Sequence, residues 1–139
     1  MSQERLKRGL LVVDLQIGLQ PPDELLIRIG KQASEFDAVL MVRRSRGVLG
    51  DLALDIPRAL VLDRDTLTLG QEVLSIMRAL HCDAWTLCGL GPAHGILGAV
   101  FSLQPSGLRY EVRMDLCEGS AKEAAARVLN QLRATGDAP

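Results

Sequence analysis

Short, continuously apolar runs alternate along this chain with longer segments of helical period, and that alternation decides the fold class. Gly9-Leu-Leu-Val-Val-Asp14, Ala38 to Val42, Ala59 to Leu62 and Ala84 to Cys88 are runs with no polar face. Such strands have to be covered on both sides, which is the condition of a parallel sheet flanked by helices. The intervening segments supply those helices. Pro21-Pro22-Asp23-Glu24 opens one, with proline and acids where a first turn prefers them, and Leu25, Leu26, Ile29 and Ala33 form its buried stripe. Thr68 and Gln71 have capping-box spacing ahead of Val73, Leu74, Met77 and Leu80. Gly89-Leu-Gly91-Pro92 turns into a helix carrying Ile96, Leu97, Val100 and Phe101, which Pro105, Ser106 and Gly107 stop. Ser120 and Glu123 repeat the capping-box spacing before a last helix with Ala124, Val128, Leu129 and Leu132, and the tail from Thr135 is expected to fray.

The fifth strand, Arg109 to Met114, is different. Tyr110, Val112 and Met114 alternate with Arg109, Glu111 and Arg113, so one face is wet and the strand belongs at a sheet edge. Strands alternating with helices at this spacing imply right-handed crossovers. The expected architecture is α/β, a three-layer α/β/α sandwich around a mostly parallel sheet of about five or six strands. Residues 1–139 carry no repeat, linker or low-complexity stretch and read as one domain.

Composition narrows the function. Of 139 residues, 47% are hydrophobic and 24% charged, enough apolar surface for a packed core and against disorder. Sixteen basic residues face seventeen acidic ones, for a net charge of -1, so no nucleic-acid partner is expected. Met1 to Arg8 is polar, and the apolar run Leu10 to Val13 is too short for an export signal or a membrane span. A cytoplasmic protein that meets no membrane is the expectation. Cys82, Cys88 and Cys117 lack metal-ligand spacing and read as reduced thiols.

In a sheet of this kind ligands bind beyond the carboxyl ends of the strands. The residues placed there are Asp14 and Gln16, then Arg43, Arg44 and Arg46, then Asp63, Arg64 and Asp65. The turn Gly89 to Gly95, with Gly91 and His94, follows strand four, and Asp115 ends strand five with Cys117 on the adjoining loop. Asp63-Arg64-Asp65 reads as a locally salt-bridged turn.

Several of these segments carry a family resemblance. Leu11-Val-Val-Asp14-Leu-Gln16 resembles the opening strand of the isochorismatase-like hydrolases, which include the nicotinamidases. Asp83-Ala-Trp-Thr-Leu-Cys-Gly89-Leu-Gly-Pro-Ala-His-Gly95-Ile-Leu is similar to their strand, glycine turn and nucleophile-bearing helix. Met114-Asp115-Leu-Cys-Glu-Gly-Ser120 and the alanine-rich segment after it resemble their closing strand and helix. The resemblance spans most of the chain in the family's order. It implies an acid, a lysine and a cysteine as the working set: a thiolate at a helix N-terminus attacks the substrate while the carboxylate moves the proton.

Asp14 matches the acid. The lysine position falls near Asp63 and Arg64, in a stretch with no lysine between Lys31 and Lys122, and the cysteine position falls on Gly95. A glycine is no nucleophile, and a guanidinium supplies charge without a titratable amine. No Asp-x-His pattern follows strand two, and no metal or cofactor is implied. The expectation is a member without cysteine-hydrolase activity, kept as a binding or structural subunit. It would be a homo-oligomer or a protein's partner, with a small ligand at Gln16, Asp63, Arg64, Gly91, His94, Gly95 and Cys117.

Two other readings stay open. Asp14 activates water for hydrolysis of a small amide or ether; its bland counterpart is a strand-end acid that caps a nearby loop. Gly89-x-Gly91-x-x-x-Gly95, with Asp115 about twenty residues on, has the outline of a dinucleotide site, though its third glycine is one residue late.

Overall fold

The computed structural model describes residues 6–44, 50–64, 68–89 and 94–117. They form β1 (Arg8–Val13), α1 (Asp23–Ala33), β2 (Ala38–Arg44), β3 (Leu60–Arg64), α2 (Gly70–Ala79), β4 (Ala84–Gly89), α3 (His94–Leu103) and β5 (Tyr110–Cys117). The five strands make one sheet in the order β3-β2-β1-β4-β5, every neighbouring pair parallel. The expected helix-flanked parallel sheet is present. The final helix expected from Ala124 to Leu132, with its Ser120/Glu123 cap, lies outside the described residues.

The central strands bury both faces. Leu11 and Val13 with Leu40, Val42, Trp85 and Leu87 face α2 and α3, meeting Val73, Met77, Ile96 and Val100. Leu10, Val12, Met41 and Cys88 face the other way, onto Leu25, Ile29 and Ala33 of α1. Helix α1 starts as its sequence dictates: Pro22 is the N-cap and Asp23 and Glu24 fill the first turn. Helix α2 does not. It begins at Gly70 with Leu69 as N-cap and no side-chain cap bond, so Thr68 is not the capping residue. The Leu69 amide donates instead to Ser102 Oγ of α3 at 2.9 Å, a bond between elements taking the place of a local one.

Two strand expectations change. Strand β5 sits at an edge, as its alternation predicts, but it runs on to Cys117, so Asp115 is inside it and Cys117 closes it. Strand β3 is the other edge, and Leu60 and Val61 are exposed there. An apolar run is compatible with an uncovered strand, so β3 is not the doubly covered strand its composition suggests. No helix among the described residues is long and apolar enough to cross a membrane.

Glycine matters most at two close approaches. A Cβ on Gly89, where φ is +135°, would lie 2.2 Å from the Val13 carbonyl oxygen of β1. On Gly9 it would lie 2.6 Å from the Trp85 ring. The first glycine lets β4 end against β1; the second makes room for the one tryptophan.

Candidate functional site at the end of the first strand

Strand order reverses between β1 and β4: the chain goes outward through β2 and β3 on one side and through β5 on the other. Their carboxyl ends frame the crevice where open α/β sheets bind ligands. Val13 pairs with Gly89 at that end, Asp14 follows β1, and α3 opens at His94 and Gly95 before packing on β1 and β4. Topology therefore brings Asp14 and the start of α3 to one end of two adjacent strands. Gly91, in the turn between them, lies outside the described residues.

Asp14 is fully buried. Its φ is +57°, the left-handed region that a residue with a Cβ rarely adopts, and its amide donates to the Val42 carbonyl at 2.8 Å. That kink turns the carboxylate across β2 toward β3. Arg64 Nη2 donates to Asp14 Oδ2 at 2.6 Å and Arg64 Nε to Oδ1 at 3.3 Å, a two-pronged ion pair. Both side chains are out of water, at 1% and 0% exposure. Arg44 adds a second cation, its Nε 3.5 Å from Asp14 Oδ2.

Register explains the arrangement. Arg44 and Arg64 are directly paired on β2 and β3, so they share a face and converge on the neighbouring strand's end. Arg43 and Asp63, one residue earlier, pair on the opposite face, where Arg43 Nε donates to Asp63 Oδ1 at 2.5 Å. Arg43 also lies 3.8 Å from Asp51. The turn expected over Asp63-Arg64-Asp65 is thus corrected for its first two residues. They belong to a strand; Asp63 pairs with Arg43 on β2 and Arg64 with Asp14 just past β1, while Asp65 and Arg46 lie outside the described residues. Asp63 and Arg64 also do not share one site, because a strand sends consecutive side chains to opposite faces.

Burial pushes the Asp14 carboxyl above its ordinary range, against the hydrogen bond and charge of Arg64 and the charge of Arg44. With Arg64 on both oxygens and no surface exposed, this acid holds its partner in place.

Gln16 is likewise buried and fully used. Its Nε2 donates to the Gly50 carbonyl at 2.8 Å, and its Oε1 accepts the Arg44 amide at 2.8 Å. The flanking backbone pairs with the segment that returns from β2: Ile17 donates to Asp51 and Ala53 to Leu15 at 2.8 and 2.9 Å. The glutamine is a clip that ties this returning segment across the end of β1. Sequence reasoning did not foresee that clip; a buried glutamine beside a strand end was its only signal.

Among the thiols, Cys88 is wholly buried inside β4, and burial pushes its pKa well above the ordinary thiol range. Cys117 is buried opposite Gly89 at the end of β5. Cys82 is half-buried, also raised by burial, and precedes β4 at the far end of the sheet. A buried, protonated thiol is a poor nucleophile. Among the described residues no group of three or more His, Cys, Asp or Glu is placed to hold a metal ion.

No family model and no curated protein matches the chain. Solved structures do. The pyrazinamidase of Pyrococcus horikoshii, determined in complex with zinc, superposes with a TM-score of 0.75 at 16% identity, covering 94% of this chain and 96% of that one. The YcaC gene product of Escherichia coli, an octameric hydrolase of unknown specificity, gives 0.74 at 16% identity over 98% and 77%. An isochorismatase-like hydrolase from Alkaliphilus metalliredigens gives 0.66 at 14% identity over 91% and 88%. Strand order, parallel pairing and these superpositions lead to one conclusion: the chain has the isochorismatase-like hydrolase fold.

Proposed function

We propose that this protein is an isochorismatase-fold member without cysteine-hydrolase chemistry, serving as a binding or structural subunit. The observation that carries the reading is the closed ion pair at the end of β1. A general base must keep a lone pair free for the proton it receives, and must be reachable by substrate or water. Asp14 fails the second condition: the residue has no exposed surface, and Arg64 is seated on both of its carboxylate oxygens. Arginine also cannot serve as the titratable amine of the hydrolases it resembles. Gly95, aligned by resemblance with their cysteine, opens α3 and brings no thiol.

The test is hydrolysis. Incubated with nicotinamide, pyrazinamide and a panel of small amides and vinyl ethers, the protein is expected to release nothing above the uncatalysed rate. Turnover that Asp14→Asn abolishes would overturn the reading and restore the acid to catalysis.

A subunit role predicts self-association, which the octameric E. coli neighbour makes a natural arrangement for this fold. Leu60 and Val61 on β3 and Phe101 on α3 are exposed in the single chain and are available to such contacts.

A further inference from the structure

We infer a second ligand site at the opposite end of the sheet: a cavity between α1 and the entries to β2 and β3 that takes a small carboxylate with a flat apolar body. The cavity measures about 340 Å³, within the range of small-molecule pockets. Ala33, Phe36, Val39 and Ile56, all buried, line its interior, and Arg58 stands at its rim. Ser34, Asp37 and Arg58 add polar groups to this lining.

Three observations independent of its size point to a ligand. Gly30 lines the cavity from the interior of α1, where glycine weakens a helix. Nothing in the packing demands it: an added Cβ would come no nearer than 3.9 Å to a neighbour, Leu54 Cδ1. The missing side chain keeps space open. Arg58 follows Pro57 with φ at +67°, a strained conformation for a residue with a long side chain. Its exposed guanidinium has no hydrogen bond or ion pair among the described residues. The β-turn closed by the Ala59 amide on the Ile56 carbonyl at 3.1 Å sets that φ, and it presents an unpaired charge beside the cavity at a position that favours glycine.

Arg58 and Asp37 are the charged side chains of the lining, and Arg58 is the one without a partner among the described residues. The Arg8 guanidinium lies 4.6 Å from the centre of the Phe36 ring, so a second cation backs the aromatic wall. The Asp37 carboxylate also lines the cavity and accepts the Arg8 amide at 2.8 Å, so the attraction for an anion rests on Arg58. An anion therefore meets Arg58 at the mouth, and its apolar body rests on Phe36, Val39 and Ile56.

Benzoate is the probe, with acetate, benzyl alcohol and benzylamine as comparisons. Benzoate at about tenfold over its Kd is expected to raise Tm by about 3 °C. It should shift the amide resonances of Ala33, Val39 and Ile56. Acetate and benzyl alcohol, each lacking half of the recognised chemistry, should bind at least about tenfold more weakly. Arg58→Gly should lose benzoate binding by a similar factor without a fall in its own Tm, since glycine accepts this φ readily. Gly30→Leu should fill the space and abolish binding; if that variant does not fold, Arg58→Gly decides alone. The inference is overturned by no response to benzoate, by unchanged affinity in Arg58→Gly, by benzylamine binding more tightly, or by shifts confined to the Asp14 end. None of these outcomes depends on whether the protein hydrolyses amides.

Discussion

At the scale of the residue, the Asp14–Arg64 pair dominates. Removing one partner of a buried ion pair leaves an uncompensated charge, so Arg64→Leu is expected to cost about 3–5 kcal/mol in urea unfolding. The double variant Asp14→Leu/Arg64→Leu should recover most of that loss, because two apolar groups need no partner. Additive losses would mean that the two side chains do not interact. Titration gives a second check. The Cys88 thiol is raised by burial, so the folded state keeps its proton where the unfolded chain has released it. Stability is therefore full below the ordinary thiol range and falls as pH rises through and beyond it, and Cys88→Ala should flatten that alkaline decline. Native protein at neutral pH should leave Cys88 unmodified by a thiol reagent that labels it in urea. Neither the ion pair nor the glutamine clip was legible in sequence. Asp14 and Arg64 are fifty residues apart, and Asp63, the acid just before Arg64, is turned to the other face of the strand.

At the scale of the element, strands were easier to read than their surroundings. An apolar run names a strand because its residues need burial, and the runs ending at Val13, Val42 and Cys88 fall within β1, β2 and β4. The same composition did not distinguish β2 from β3, since coverage belongs to the neighbours of a strand. The wet face of β5 did announce its edge. Helix starts divide the same way. Prolines and acids fixed α1 locally, whereas α2 begins where Ser102 of another helix reaches it. Gly89 ends β4 under a constraint the sequence only hinted at. Gly89→Ala is expected to cost at least about 2 kcal/mol, from its positive φ and from contact with Val13 together. Denaturant midpoints for that variant and for Gly107→Ala, which also has positive φ but open space around it, separate the two causes.

At the scale of the whole molecule, self-association follows from the proposed subunit role. Anything that binds only the folded chain stabilises it by mass action, so Tm should rise with protein concentration and sedimentation should show species larger than one chain at micromolar levels. A concentration-independent Tm with a monomeric sedimentation profile would remove the structural-subunit reading and leave ligand binding. The sequence by itself determined the class of fold and which polar residues stand at the strand ends, because hydrophobic period and strand-end polarity are local properties that burial acts on directly. Only the tertiary structure decided how those residues are partnered. Whether an acid is a base or half of a locked pair depends on which side chains a parallel register carries to it. Register is set by packing across the sheet, and no stretch of adjacent residues contains it.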